Sequence, residues 1–204
     1  PTLTVEDAIA AKARLTASGC RDVLLGGERG GVLIPGFDLD NSPASYSPER
    51  VHGRTVAFTT ANGTAGLLLA SGADLVLVGC FANAAAVARA VAQTDRPVVI
   101  LCCGTRQHVG LDDCLAAGLI VSHLVGLGRS LTNDDGARLC LAAWREFLGS
   151  GRSLPEALAE TRGGRFLHLQ GCERDLKACG EVDRSELVGA FDPSTGCVTT
   201  YRSV

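Results

Sequence analysis

RTVAFTTANGTAGLLLA, residues 54–70, is the stretch that indicates the fold class. Its first seven residues are mostly apolar or β-branched, which is typical of a buried strand. The strand continues into an Asn-Gly-Thr turn at residues 62–64 and then into a small apolar helix that ends near Ala70. A strand that passes through a short turn into a helix is the building unit of α/β folds.

The same alternation continues on both sides of this stretch. Thr4 is a plausible N-cap for a helix that Gly19 ends. The other predicted elements are strands at 21–25, 74–79 and 97–102, helices at 82–93, 111–126, 134–149 and 154–162, two short helices within 164–179, and a hairpin at 191–201. Apolar strands that alternate with helices predict a mainly parallel sheet covered by helices.

Length, charge and cysteine usage limit the class of protein. The chain has 204 residues, which suggests one domain over residues 1–204. The net charge is −3 without a basic run, which argues against nucleic-acid binding, and no apolar stretch is long enough to span a bilayer. Nine cysteines, an odd number without a Cys-x-x-Cys pair, predict free and mostly buried thiols in a reducing cytoplasm.

A long Gly- and Pro-rich segment, residues 26–48, carries the most unusual charged residues. Long loops in compact domains are often functional, and a surface loop with solvated charges is the alternative. Glu28 and Asp38 are hard oxygen ligands of the kind that Mg²⁺ takes together with water and phosphate oxygens. Arg29 is suited either to pairing with Glu28 or to clamping a phosphate through two hydrogen bonds.

Three strand-to-helix junctions also hold polar residues, and parallel sheets bind ligands at such carboxyl ends. In the second junction, Asn83 either caps the next helix or faces a ligand. In the third, Asp112 and Asp113 favour the helix dipole, and one of them is a candidate for a cation site. The first junction offers hydroxyl, amide and backbone N–H groups that suit a phosphate, or simply form a capped turn, at Thr60, Asn62, Gly63 and Thr64.

A thiol nucleophile is an alternative chemistry. Cys102 or Cys103 lies at the end of the predicted strand at 97–102, and with His108 as base it would form a cysteine hydrolase of α/β fold. An inert thiol at the end of an apolar strand is the simpler interpretation. The four histidines show no metal-ligand spacing, which argues against a zinc site.

The order of these motifs resembles the 2-phosphosulfolactate phosphatase family over nearly the whole chain. The segment GERGG…GFDLDNSP, residues 27–43, is the most specific part of the resemblance. The other residues that carry it are Thr59, Thr60, Asn62, Gly63, Thr64, Gly79, Phe81, Asn83, Ala84, Cys103, Gly104, Asp112, Asp113, Ala117, Gly118, Gly171 and Asp175.

The resemblance implies a cytoplasmic Mg²⁺-dependent phosphatase with a three-layer α/β/α fold around a mainly parallel or mixed sheet. Its substrate would be a small phosphorylated sulfonate, 2-phospho-3-sulfolactate, and its products 3-sulfolactate and phosphate, a step of coenzyme M biosynthesis in methanogens. A homo-oligomer, first of all a dimer, is expected on base rates. A non-catalytic protein that binds a phosphorylated metabolite is the remaining alternative.

The chain departs from the family pattern in four places. Asp40 replaces a glycine, Ala61 replaces a third threonine and Asp112 replaces a glutamate. Family members also begin with a strand that ends in a motif like Asp-Val-Leu-Arg-Ala-Thr-Thr, followed by a helix. A unit of about 30 or more residues is therefore expected before Pro1, and the domain is expected to be incomplete at its amino end.

Combining the residue patterns with the resemblance gives each candidate a role. Glu28, Arg29 and Asp38 form the expected catalytic set, and Asp113 joins the two carboxylates as a ligand of Mg²⁺. Arg106 is a candidate for the sulfonate by its position alone. The residues expected to bind the phosphate or orient the substrate are Asn41, Ser42, Thr60, Asn62, Gly63, Thr64 and Asn83.

Overall fold

The computed structural model describes residues 1–105, 108–131 and 134–202. The chain forms two compact units, Pro1–Gly72 and Ala73–Val204, here called unit 1 and unit 2. The single domain expected over residues 1–204 stays a prediction. In the described part of the chain, no helix is both long and apolar enough to cross a membrane.

Unit 1 begins with helix α1, Val5–Ala17, as the sequence predicts. The Thr4 hydroxyl accepts the Asp7 N–H at 3.0 Å, which caps the first turn. Gly19 has a φ of +90°, the left-handed conformation that ends many helices. The apolar side of α1 packs on the sheet, where Ala8 is fully buried with Val23 and Leu25.

The sheet of unit 1 has the order β2-β1-β3, from β1 at Val23–Arg29, β2 at Val32–Leu33 and β3 at Thr55–Thr59. β1 runs parallel to β3, with Val23 opposite Thr55 and Gly27 opposite Thr59, and antiparallel to β2. Two short helices complete unit 1, α2 at Pro48–Val51 and α3 at Gly63–Leu69. The predicted strand at 54–60 and its following helix are confirmed.

β1 continues four residues beyond the strand predicted at 21–25. The prediction was wrong there because Gly26 and Gly27 were interpreted as the start of a loop. Both glycines are buried inside the sheet, and a Cβ on Gly26 would lie 2.8 Å from the Tyr46 hydroxyl oxygen. These glycines therefore serve close packing and not a turn.

Unit 2 contains an antiparallel sheet of the order β4-β5-β6, formed by Val76–Val78, Gly189–Asp192 and Cys197–Thr200. β5 and β6 form the hairpin that the sequence predicts. The helices are α4 at Ala84–Ala92, α5 at Leu111–Gly126, α6 at Asp135–Gly149, α7 at Leu154–Ala159, α8 at Arg162–Leu169 and α9 at Arg174–Cys179.

The core of unit 2 is built mainly on the contact between α5 and α6. Trp144 on α6 packs against Phe147 with ring centroids 5.1 Å apart, and Leu115 and Leu119 on α5 join this cluster. Gly118 brings the two helices close together, because a Cβ there would lie 2.1 Å from the Cys140 carbonyl oxygen. A side chain at position 118 would therefore push α5 and α6 apart.

Three expectations need correction. The predicted strand at 97–102 pairs with no strand in the described residues, and Val99 is 87% exposed, since an apolar run becomes a strand only where a ladder partner exists. The α/β class is confirmed, but the sheets are mixed in unit 1 and antiparallel in unit 2. The thiols are free as expected, yet all nine are partly or well exposed and none is buried.

Candidate functional site

The carboxyl ends of β1 and β3 lie side by side in unit 1, and the strongest candidates of the sequence gather there. Gly27 makes this close approach possible, because a Cβ at that position would lie 1.9 Å from the Thr59 carbonyl oxygen. Thr59 is completely buried, and Thr2 adds a short parallel bridge to it. The turns that follow the two strands therefore share one edge of the sheet.

Glu28 ends β1 as a buried carboxylate, with 7% of its surface exposed. Its Oε2 accepts the Gly31 N–H and its Oε1 accepts the Ala61 N–H, both at 2.8 Å. Gly31 belongs to the turn between β1 and β2, and Ala61 to the turn between β3 and α3. One carboxylate thus joins the two turns at the candidate site.

Arg29 lies next to Glu28 but is not ion-paired with its carboxylate in the described residues. Its Nη1 donates to the Glu28 carbonyl oxygen at 2.8 Å, and its Nη2 donates to the Leu3 carbonyl at 3.0 Å and the Thr59 hydroxyl at 2.9 Å. The Thr59 hydroxyl in turn donates to the Thr2 carbonyl at 2.9 Å. The guanidinium is therefore held in one orientation, at the level where the strands end.

Asp38 lies lower on the sheet than Glu28. Its Oδ2 accepts the Leu25 N–H at 2.8 Å and lies 3.5 Å from Lys12 Nζ. The Leu25 hydrogen bond lowers the pKa of Asp38, and the charge of Lys12 adds to that effect. Because Leu25 precedes Glu28 by three residues along β1, the structure does not bring these two carboxylates together.

Asn41 and Ser42 lie in the segment beside the end of β1. Leu39 forms a parallel bridge with Gly26, and the Gly27 N–H donates to the Leu39 carbonyl at 2.9 Å. Asn41 is exposed and Ser42 is buried, and the Ser42 N–H binds the Asp40 carboxylate at 3.0 Å. The structure thus places both residues near the carboxyl end of β1.

Tyr46 stabilises this segment through a contact with its backbone. Its hydroxyl donates to the Asp40 carbonyl at 2.6 Å, and its ring contacts Phe58 edge to face. Burial, followed by the negative charge of Asp40, raises the pKa of Tyr46 to about 12. Asp40 is therefore held in the loop through both its backbone carbonyl and its side chain.

The turn between β3 and α3 is organised by two threonines. The Thr60 N–H donates to the Thr64 hydroxyl at 3.2 Å, and the Thr64 N–H donates to the Thr60 hydroxyl at 3.3 Å. The Thr64 hydroxyl donates to the Thr60 carbonyl at 3.1 Å, and Thr64 is buried. These hydroxyls shape the turn, while Asn62 and Gly63 form its outer part.

Asn83 lies in unit 2, at the start of α4, and its amide is engaged with the backbone. Its Oδ1 accepts the Cys80 N–H at 2.8 Å, and its Nδ2 donates to the Val78 carbonyl at 3.0 Å and the Leu187 carbonyl at 3.1 Å. The side chain is 8% exposed. The side chain makes no capping hydrogen bond to α4 and instead joins the preceding turn to the backbone of residues 78 and 187, while substrate binding by Asn83 stays a prediction.

Asp112 and Asp113 begin α5 in unit 2. Asp113 accepts backbone N–H groups of Gly104 and Cys103, but burial, and then the charge of Asp112, raise its pKa. Asp112 Oδ1 is buried and has no hydrogen-bond partner in the described residues. Arg106, the candidate for the sulfonate, lies outside the described residues.

The thiol chemistry finds little support in this geometry. Burial, followed by the neighbouring Cys140, raises the pKa of Cys102 to about 12, and burial raises that of Cys103 as well. The Cys102 Sγ lies 3.8 Å from the Asp113 carbonyl oxygen, and the backbone of His108 pairs with Thr105. A thiol with a raised pKa is a poor nucleophile at neutral pH, which disfavours the cysteine hydrolase.

Glu28, Asp38 and Asp113 as ligands of Mg²⁺ stay a prediction. No group of three His, Cys, Asp or Glu side chains is arranged in the described residues to hold a metal ion. Within unit 1, Glu28 and Asp38 bind different backbone N–H groups at different levels of β1. The geometry therefore does not fit a protein-built Mg²⁺ site made from these carboxylates.

Several residues of the site escaped the sequence reasoning. Thr2 and Leu3 contribute carbonyl oxygens, and Tyr46 supports the loop of Asn41 and Ser42. Contacts of this kind join residues more than fifty positions apart or involve backbone atoms, so that no local pattern reveals them. The signal that was available is Gly26-Gly27 before Glu28, since paired glycines inside a strand indicate a close approach.

Comparison with known proteins gives a consistent result. A family model described as 2-phosphosulpholactate phosphatase matches residues 1–193. A protein of Deinococcus radiodurans named probable 2-phosphosulfolactate phosphatase is 41% identical over 94% of this chain and 77% of its own length. Proteins with the same name from Symbiobacterium thermophilum and Clostridium perfringens are 37% and 33% identical, over 84% and 100% of this chain and 72% and 79% of their own.

Proposed function

The chain belongs to the 2-phosphosulpholactate phosphatase family, a family of phosphoric monoester hydrolases, and on this premise we propose that it hydrolyses 2-phospho-3-sulfolactate. Water is consumed, the ester C–O–P linkage is broken, and 3-sulfolactate and inorganic phosphate are released. The match over residues 1–193 and the shared names of the relatives support this assignment.

The observation that carries the proposal is the fixed guanidinium of Arg29. Three hydrogen bonds to Leu3, Glu28 and Thr59 hold it at the end of β1. Its Nε–H and one Nη1–H have no partner among the described residues, and they lie on different edges of the guanidinium, so that each can donate a single hydrogen bond to an anion. The fixed positive charge at this position would stabilise the transferring phosphoryl group.

The neighbouring turns complete the proposed phosphate site. Asn62 and Gly63 would contact the phosphoryl oxygens, while Thr60 and Thr64 keep the turn in shape through their mutual hydrogen bonds. Asn41 and Ser42, in the loop beside β1, would orient the organic part of the substrate. Donors that are already in place before binding lower the barrier without reorganisation during the reaction.

Mg²⁺ dependence is part of the proposal, but no step is assigned to the metal. The cation would neutralise phosphate oxygens, which is its usual role in phosphoryl transfer. Because the described carboxylates do not form a preassembled set, Asp38 and Asp113 as its ligands stay predictions. A dimer, a cytoplasmic location and a place in coenzyme M biosynthesis are likewise proposed from the resemblance and from base rates.

Phosphate release from 2-phosphosulfolactate, with Mg²⁺ and with a chelator, tests the function directly. We expect release that stops when Mg²⁺ is removed. Arg29→Lys should lower kcat/KM at least tenfold, about 1.4 kcal/mol, because an ammonium group lacks the planar guanidinium that the three hydrogen bonds hold in place. Arg89→Lys is the matched control, since Arg89 is an exposed residue of unit 2 paired with Glu186. Equal kcat/KM values for the two variants would remove Arg29 from the site.

A further inference from the structure

We propose that Glu28 is a positioning residue that holds the turn between β3 and α3, part of the proposed phosphate site, against the end of β1. We propose also that it is not a ligand of the metal. The inference rests on the proposed function for its catalytic consequence. Its structural part, the link between the two turns, is testable without any substrate.

The link consists of two hydrogen bonds from one carboxylate. Oε2 accepts the Gly31 N–H and Oε1 accepts the Ala61 N–H, each at 2.8 Å. Neither Gly31 nor Ala61 lies in a strand, because β1 ends at Arg29 and β3 ends at Thr59. Both N–H groups are therefore outside the ladder of the sheet, and Glu28 supplies their acceptors.

Only a carboxylate of this length makes both contacts. Each oxygen of an ionised glutamate accepts a hydrogen bond, whereas glutamine has one acceptor oxygen and one NH₂ group. In Glu28→Gln, one of the two backbone N–H groups would face another N–H donor. That turn must then move or leave its donor without the carboxylate, which is unfavourable because both hydrogen bonds are partly buried.

The position of Glu28 argues for support and against metal binding. The other predicted carboxylate of unit 1, Asp38, accepts the N–H of Leu25, three residues before Glu28 on β1. Three residues of strand span about 10 Å. Glu28 is also only 7% exposed, and each of its oxygens already accepts one backbone N–H, so that little of the carboxylate is open to a hydrated cation.

The catalytic consequence follows from the place of Ala61. It lies between Thr60 and Asn62 in the turn that is proposed to bind the phosphoryl group. The adjacent Arg29 is fixed to the same strand end by Thr59 and Leu3. Glu28 thus sets the distance between the turn and the guanidinium of Arg29. Removing the Glu28 carboxylate should therefore weaken phosphate binding more than it changes any other step.

Amide hydrogen exchange of the substrate-free wild-type protein is the first measurement. Gly31 and Ala61 should exchange at least tenfold more slowly than Gly30 and Gly63, which lie in the same two turns. In Glu28→Gln at least one of the two should lose this protection. Fast exchange of both amides in the wild type would overturn the proposal, even if the variant does not fold.

Steady-state kinetics is the second measurement, with 2-phosphosulfolactate and a Mg²⁺ titration. Glu28→Gln should raise KM at least fivefold, while the Mg²⁺ concentration for half-maximal rate stays within twofold. Glu156→Gln is the matched control, because Glu156 accepts the Ser153 N–H at 2.8 Å on an exposed turn of unit 2. Its kinetics should equal those of the wild type.

The outcomes separate the possible roles of Glu28. A tenfold or greater rise in the Mg²⁺ requirement with an unchanged KM would make Glu28 a metal ligand and overturn the proposal. An unchanged KM together with unchanged amide protection would overturn it as well. If the wild type releases no phosphate from this substrate, the proposed function fails, and the amide measurement still decides whether Glu28 holds the turns.

Discussion

Replacing Gly27 by alanine tests the contact on which the candidate site depends. Gly27 has a φ of +148°, and a Cβ there would lie 1.9 Å from the Thr59 carbonyl oxygen. Real Cβ atoms do not approach other atoms closer than about 3.0 Å. β1 and β3 would therefore have to separate by about 1 Å, which is large compared with the usual distance of about 4.8 Å between neighbouring strands.

The cost of Gly27→Ala has two parts. A φ of +148° lies in a region that glycine alone adopts readily, and it costs an L-residue about 1–3 kcal/mol. The separation weakens the hydrogen bonds around this position, including the one from the Gly27 N–H to the Leu39 carbonyl, at about 1 kcal/mol each. We expect a total loss of about 3–4 kcal/mol, a large part of the 5–15 kcal/mol that is typical of a domain.

Urea unfolding followed by circular dichroism measures this loss, and the chain provides two controls. Gly30 has a φ of +60° and open space around it, so Gly30→Ala reports the cost of a positive φ without a steric clash, about 1 kcal/mol. Gly72 has open space and an ordinary φ, and its alanine variant should be within about 0.5 kcal/mol of the wild type. If Gly27→Ala costs no more than Gly30→Ala, the close approach of β1 to Thr59 is refuted.

Two further predictions concern stability. Because the pKa of Tyr46 is raised to about 12, the folded state keeps the proton that the unfolded state loses near pH 10. The contribution of Tyr46 to stability is complete below pH 10 and is lost as the pH rises to about 12. Because the ring is only half buried, we expect the free energy of unfolding to fall by about 1 kcal/mol over this range. Urea titrations at pH 9 to 12 measure this loss, which should be absent in Tyr46→Phe. Gly118→Ala should cost about 3 kcal/mol in thermal unfolding, since its Cβ would meet the Cys140 carbonyl at 2.1 Å, and Gly126→Ala, with open space, is the control. A melting temperature of Gly118→Ala equal to that of the control would contradict the tight contact of α5 with α6.

The sequence predicts most of the local structure because it depends on neighbouring residues. α1 with its Thr4 cap, α5, and the hairpin of β5 and β6 follow from caps, apolar runs and turn residues. The unpaired run at 97–102 and the four added residues of β1 do not, since pairing depends on distant partners. An apolar run shows that a segment avoids water, but it does not show which strand lies beside it.

The same difference between local and distant contacts applies to the candidate site. The residue types at Glu28, Arg29 and the turn at 60–64 identify the place, and the structure brings these residues together at the ends of β1 and β3. The grouping of Glu28 with Asp38 came from their chemistry alone. The position of each residue along β1 separates them, because Asp38 lies beside Leu25, three residues before Glu28. Chemical similarity therefore overestimates proximity in a segment whose path is not known.

The contacts of the amino-terminal residues have a practical consequence for protein engineering. Thr2 and Leu3 hold Thr59 and Arg29 through their carbonyl oxygens, and the Thr2 N–H donates to the Phe58 carbonyl at 2.9 Å. Changes to the backbone at Thr2 or Leu3 would therefore disturb the orientation of the guanidinium at the candidate site.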